Sequence, residues 1–217
     1  MISSNIRLSF FLLTLVFLTS GLVALGVASY FLATPYMRRA VVVTRDMIYG
    51  GFFVGALTVI SSLTGFFASI RPVRRKNILV VFAWLIAFVI CIELFLGAAI
   101  WFRSLNIRGS FSEKWRTWDP VLKVAFQEAD GCCGYYNAQD DPSDSAFCRI
   151  TNVPHTGCVD AIHIYTDNYL RNIYTCLFGF VAVDVFAFLA CVVLIQARND
   201  QERYEKGTAR MVKSQYL

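Results

Sequence analysis

The sequence predicts an all-α membrane protein with four transmembrane helices and a large, mainly helical, disulfide-stapled extracellular loop between the third and fourth helices. The 217 residues are 57% hydrophobic and only 16% charged, whereas soluble domains are about 45–50% apolar and about 25% charged. Four apolar runs are long enough to cross a bilayer as helices, which takes about 20 residues. Four of the seven cysteines fall in one polar stretch after the third run.

Each predicted span carries at most one charge. The first two carry none, the third contains only Glu93, and the fourth contains only Asp184. Backbone groups in lipid must pair internally and no alternating barrel pattern is present, so we expect helices. The first apolar run exceeds the roughly 7–15 residues of a signal-peptide core, which favours a span over a cleaved signal. We expect the spans at 9–33, 47–70, 77–102 and 172–197.

Basic residues in short loops predict the orientation. The loop at 71–76 contains Arg71, Arg74, Arg75 and Lys76 and no acid, so we expect this loop and both termini in the cytoplasm, with the plasma membrane as the compartment. The cluster is either a topology signal alone or a site for anionic lipid, contributing roughly 1 kcal/mol per charge. The other expected segments are a cytoplasmic N-terminus at 1–8, a small extracellular loop at 34–46, the large extracellular loop at 103–171 and a cytoplasmic tail at 198–217.

The large loop has about 70 residues, which is marginal for a domain on its own. Asp119-Pro120 predicts a helix N-cap followed by proline at the first helical position, and Gly131 predicts the end of that helix. The helix would carry an apolar stripe formed by Leu122, Ala125 and Phe126. A second helix is expected from Val159 into the fourth span, after a polar loop from Tyr135 to Gly157.

The large loop contains four cysteines: Cys132, Cys133, Cys148 and Cys158. Disulfides persist outside the cytosol, so we expect two of them. The adjacent Cys132 and Cys133 rarely bond each other, which leaves two pairings open. A zinc site that adds His155 and His163 is the alternative, but its spacings match no common site and extracellular thiols tend to oxidise.

This arrangement of four spans, a small first loop and a large third-to-fourth loop with a Cys-Cys-Gly sequence resembles the tetraspanins over essentially the whole chain. The residues that carry the family motif are Cys132, Cys133, Gly134, Gly157 and Cys158. The resemblance implies the pairings Cys132–Cys158 and Cys133–Cys148. It also implies a cone-shaped bundle whose long loop forms a lid over an intramembrane cavity.

A narrower likeness is to the small tetraspanins of filamentous fungi. It rests on Trp101-Phe102, Tyr135 with Asn137, the short loop, Val183-Asp184-Val185 and Glu202-Arg203-Tyr204. One member of that group is associated with appressorium penetration of host plants, so this likeness implies a role in fungal morphogenesis or host penetration.

The chain also departs from the family pattern. Thr14 occupies the place of an asparagine in the first span, and no N-glycosylation sequon is present. The family is often palmitoylated at cysteines near the membrane surface, and Cys191 is the candidate here. The alternative for Cys191 is a small buried hydrophobe.

Two acids inside spans are expected to face protein or a cavity, because a charge at mid-span is unfavourable. Glu93 and Asp184 would differ in depth by only about 4–5 Å, so they could share a proton or line one cavity for a lipid or sterol headgroup. The alternative is an interhelical hydrogen bond worth about 0.6–2 kcal/mol.

Small residues at four-residue spacing predict close packing of the first helix on the second, with a homodimer face as the alternative. They are Ser20, Ala24 and Ala28 on the first span and Gly51, Gly55, Ser61 and Gly65 on the second.

The favoured function is a non-catalytic organiser that binds other integral membrane proteins laterally, with a lipid, a sterol or a second copy as further partners. Tyr135, Tyr136 and Phe147 are the candidate contacts, because aromatic residues are enriched at interfaces. The alternative is a small channel or transporter that uses Glu93 and Asp184. We expect no enzymatic activity, cofactor, metal or nucleic-acid binding, since no nucleophile–base or phosphate-binding motif is present and the charge of +5 is divided between both faces.

Overall fold

The computed structural model describes residues 4–34, 37–70, 76–105, 107–149 and 156–215. Residues 71–75 and His155 lie outside these ranges, as does the side chain of Lys76, so all four side chains of the predicted basic cluster lie outside the described residues. The described residues are overwhelmingly helical, which confirms the predicted all-α class. The helices are α1 (Ser4–Ala33), α2 (Met37–Val42), α3 (Arg45–Ile70), α4 (Lys76–Leu105), α5 (Ile107–Thr117), α6 (Pro120–Asp130) and α7 (Val159–Gln215).

Four of these helices, α1, α3, α4 and α7, are long and apolar enough to cross a membrane, as the sequence predicts. Helix α7 has 57 residues. It begins at Val159 in the predicted large loop, passes through the fourth apolar run and continues to Gln215, so the expected continuation of a loop helix into the span is found. The six-residue helix α2, within the predicted small loop, was not expected.

The chain divides into two compact units, each with its own hydrophobic core. We call them the span unit, which comprises residues 1–29, 50–94 and 178–217, and the loop unit, which comprises residues 30–49 and 95–177.

In the span unit, Phe82 of α4 is fully buried and meets the rings of Phe10 and Phe17 edge-on, with centroid distances of 5.9 and 6.3 Å. Gly65 of α3 makes room for this ring, since a Cβ there would lie 2.7 Å from Phe82. Gly65 therefore packs against α4, a contact that the predicted packing of the first helix on the second did not include.

Other small residues of the span unit do join α1 to α3. A Cβ on Gly55 would lie 3.0 Å from the carbonyl oxygen of Gly21 and 2.8 Å from Leu25, and one on Gly51 would lie 3.5 Å from Ala28. Contacts within the chain thus occupy the glycine face considered for a homodimer. The sequence interpretation missed Gly21. Of the other small residues predicted to pack, Ser20 and Ser61 are buried and Ala24 is half-buried.

In the loop unit, α6 has the predicted ends. The Asp119 side chain accepts a hydrogen bond from the amide of Val121, Pro120 is the first helical residue, and Gly131 adopts the left-handed conformation (φ 62°) that closes the helix. Gly109 lies within α5 and does not end that helix.

Candidate functional site

Two disulfides hold the segment between α6 and α7. Cys132 bonds Cys158 and Cys133 bonds Cys148, with Cα–Cα distances of 5.1 and 5.7 Å. Of the two pairings left open by the residues, this is the one that the family resemblance implies. Because Cys148 and Cys158 are both bonded, the zinc alternative loses its thiolate ligands.

The motif glycines allow the backbone to pass close to itself beside the disulfides. Gly134 has φ 65°, and a Cβ there would lie 2.1 Å from the carbonyl oxygen of Asn137. A Cβ on Gly157 would lie 2.3 Å from the carbonyl oxygen of Tyr136. Since real Cβ atoms do not approach backbone oxygens this closely, only glycine fits either position.

Backbone hydrogen bonds join the two ends of the stapled segment. The amide of Cys133 donates to Thr156 (2.9 Å), that of Cys158 to Gly134 (3.0 Å), and that of Val159 to Tyr135 (3.0 Å). The start of α7 is therefore fixed directly to the residues that follow α6.

An aromatic core packs against one side of the stapled segment. Trp115 of α5 and Phe126 of α6 are fully buried, and Trp118 stacks on Phe126 at 5.5 Å. Tyr135 is only 2% exposed and lies 5.8 Å from Trp115. The prediction that Tyr135 contacts a partner is therefore wrong, because the side chain forms part of this core.

Polar side chains on one face of α6 attach the irregular segment to the helix. Buried Lys123 donates to the carboxylate of Asp141 (2.6 Å). When the side-chain amide of buried Gln127 is oriented with its nitrogen towards Ser143, it donates to the carbonyl of Ser143 (3.0 Å) and accepts from the amide of Gly134 (3.1 Å). Sequence reasoning missed both residues, because an apolar-stripe pattern treats Lys and Gln between buried positions as solvent-facing.

The outer surface of the stapled segment is exposed. Tyr136 is 57% exposed, Phe147 is half-buried, and Asp144 and Arg149 form a fully exposed ion pair. Hydrogen bonding and charge from Arg149 hold the pKa of Asp144 below its usual range. The predicted aromatic surface is thus reduced to Tyr136 with a partial contribution from Phe147.

Arg38 of α2 attaches the predicted small loop to the same core. Its guanidinium lies 4.6 Å from the centres of the Phe126 and Tyr165 rings and pairs with Asp130 at the end of α6. Burial and a hydrogen bond with Tyr169 raise the pKa of Tyr165 to about 12. Cation–π contacts of this kind contribute about 0.5–2 kcal/mol, so α2 is a structural part of the loop unit.

The polar residues predicted inside the spans all lie in the span unit. Glu93 and Asp184 are both buried, and their carboxyl groups are close enough to interact with each other. Their burial favours a contact between α4 and α7 over the lining of an ion path. Thr14 is also buried, but its hydroxyl donates to the carbonyl of Phe10 in its own helix (2.8 Å).

Cys191 is fully buried against α4, where its thiol contacts the carbonyl of Leu79 at 3.5 Å. A thiol enclosed in this way is inaccessible to an acyl donor, so its predicted palmitoylation is wrong and the small buried hydrophobe is the correct interpretation.

Comparison with known proteins gives one family. The family model described as the Tetraspanin family matches residues 6–197, which is most of the chain. No curated protein matches the chain.

Proposed function

Since the chain belongs to the tetraspanin family, we propose that it binds partner membrane proteins laterally through its stapled loop and its spans. The family is one of multi-pass, generally non-enzymatic proteins that organise membranes, and this general role applies to the chain. Partner binding is the specific form that we propose for it here.

The observation that carries this proposal is a rigid, exposed surface on an irregular segment. Residues 136–149 adopt no regular helix, yet the Cys133–Cys148 disulfide and the bonds of Lys123 and Trp115 to Asp141 attach them to the loop unit. Preorganised loops bind with less loss of conformational entropy than flexible ones. Exposed Tyr136 supplies the kind of aromatic contact that is enriched at protein interfaces.

We place the stapled segment outside the cell, with both termini in the cytoplasm of a plasma-membrane protein, since disulfides persist on the non-cytosolic side and basic residues favour the cytosolic side. In this proposal, the membrane spans, the loops and the two termini have the boundaries expected from the sequence. A membrane lipid or sterol, and a second copy, are additional proposed partners. The likeness to small tetraspanins of filamentous fungi leads us to propose a role in fungal morphogenesis or host penetration.

The experiment is purification of the full chain from its native membrane in mild detergent, followed by identification of the membrane proteins that accompany it. We expect Tyr136→Ala to lose a reproducible subset of them. The matched control is Tyr204→Ala, which removes an exposed tyrosine from the tail of α7 and should retain that subset.

A non-reducing peptide map of Tyr136→Ala, showing both disulfides intact, would separate loss of a contact from loss of the fold. The proposed surface would be contradicted if Tyr136→Ala kept all of the partners and Tyr204→Ala lost them.

A further inference from the structure

Glu93 and Asp184 are two buried neighbouring acids in the span unit, and the proposed organiser role does not explain them. Glu93 of α4 is 2% exposed and Asp184 of α7 is 0% exposed, and each carboxyl group lies within interaction range of the other. An ionised carboxylate at the centre of a span is unfavourable by about 2.5–3.5 kcal/mol, and two ionised carboxylates in contact also repel each other. The contact is stable only if something neutralises part of this charge.

In the described part of the chain, the surrounding helices supply no hydrogen-bond donor to three of the four carboxyl oxygens. Oε2 of Glu93 and both carboxyl oxygens of Asp184 have no hydrogen-bond partner among the described residues. The buried hydroxyl groups of α1 and α3 are already committed, because each donates to the carbonyl three or four residues earlier in its own helix. These hydroxyl groups belong to Thr14, Ser20, Thr58, Ser61 and Ser62.

Among the side chains that the structure describes, the span unit also places no cation beside the pair. Within it, the described part of α1 has only the exposed Arg7, and the part of α3 that belongs to this unit, residues 50–70, has no ionisable side chain. On α7, the thiol of Cys191 is directed at the carbonyl of Leu79. Arg198 lies about 20 Å from Asp184 along the helix, at about 1.5 Å per residue.

We propose that Glu93 and Asp184 bind one proton between them, so that one carboxyl group donates an O–H···O hydrogen bond to the other and fastens α4 to α7. The proton comes from water and returns to it, and only an O–H bond is made or broken. The shared proton removes one of the two negative charges and supplies the missing hydrogen-bond donor. A calcium ion fits this position poorly, since it takes about 6–8 oxygen ligands and the two carboxyl groups provide four oxygens.

Release of the proton changes the contact between the two helices. The folded pair holds a proton that the separated acids would release in neutral solution, so the stability of the folded protein falls as the pH rises through that release. The position thus makes α4–α7 packing sensitive to proton concentration.

Infrared spectroscopy of the full chain in lipid vesicles tests the proposal directly. We expect the C=O stretch of a protonated carboxylic acid at neutral pH, shifted in heavy water. It should be lost in the double variant Glu93→Gln with Asp184→Asn and retained in Asp200→Asn, the matched control at an exposed acid of the same helix. Absence of this band from the unmodified protein at neutral pH would overturn the proposal, whether or not the variants fold.

A thermal stability series provides a second readout. The unfolding midpoint of the unmodified protein and of Asp200→Asn should fall by a few degrees as the pH rises above neutral. Glu93→Gln should remove this fall, because its amide donates a hydrogen bond at any pH. A midpoint that depends on sodium concentration but not on pH would instead identify a metal cation between the acids and contradict the bound proton.

Discussion

The loop unit and the span unit both bury polar side chains, but the two units satisfy them differently. In the loop unit, Lys123 and Gln127 reach across to an irregular segment and find oxygen and amide partners there. In the span unit, Glu93 and Asp184 lie close to each other, and three of their four carboxyl oxygens have no hydrogen-bond partner among the described residues. The buried polar groups of the loop unit therefore fix the conformation of a segment without regular structure, whereas those of the span unit select which helices pair.

The two units also differ in what keeps their parts together. Disulfides and backbone hydrogen bonds close the loop unit around an aromatic core, whereas small residues such as Gly21 and Gly55 let the helices of the span unit approach closely. In lipid, helix association depends on such close packing, because the surrounding tails are as apolar as the side chains. Covalent and steric perturbations should therefore act strongly in the loop unit and weakly at lipid-facing positions of the span unit.

The largest effect is expected from removal of a disulfide. Replacing Cys132 and Cys158 together by serine should lower the free energy of unfolding by about 2–5 kcal/mol, mainly because the unfolded chain is no longer constrained. The second disulfide spans 15 residues instead of 26, so its removal should have an effect smaller by about 0.5 kcal/mol. Thermal unfolding of the purified protein checks both values.

Cys176→Ser is the matched control, since this cysteine is unpaired and exposed in the same unit. Equal midpoints for the control and for the Cys132/Cys158 variant would show that the staple does not stabilise the loop unit.

Substituting a glycine should change the free energy of unfolding by an intermediate amount, and the change should differ between the two units. Gly157→Ala places a methyl group 2.3 Å from the carbonyl of Tyr136, so the backbone must shift and the loss should exceed about 1 kcal/mol. Gly26→Ala on α1 meets nothing within 4 Å and should be neutral or stabilising by up to about 1 kcal/mol, given the helix preference for alanine. Unfolding midpoints measured side by side check this pair, and similar losses for both would show that the close approach at Gly157 is not the cause.

The smallest effect concerns the exposed ion pair on the stapled segment. Arg149 lowers the pKa of Asp144, so the pair contributes stability above the ordinary aspartate pKa and loses it as the pH falls through the lowered value. Because both side chains are exposed, the change in overall stability should be slight. Titration of the Asp144 carboxyl carbon by NMR should show its pKa rising in Arg149→Gln and unchanged in Arg203→Gln. An identical titration in all three proteins would exclude the ion pair.

Much of the candidate site was visible in the sequence. The cap at Asp119-Pro120, the left-handed glycine at Gly131 and the return helix from Val159 follow from local residue preferences, and all are present. The roles of Lys123 and Tyr135 were not visible, because burial of a polar or aromatic side chain depends on which distant segment covers it.

By itself, the sequence determined that this chain has four apolar helices and a cysteine-rich polar loop, since helix formation in lipid depends on local length and composition. The residues alone left two cysteine pairings open, and the family resemblance implied the one that the structure has. Only the tertiary structure decided which tyrosine is exposed, that Gly65 packs on α4 and that Cys191 is enclosed. These features depend on which residues, far apart along the chain, the fold brings into contact. The spacing of residues along the chain does not by itself specify these long-range contacts.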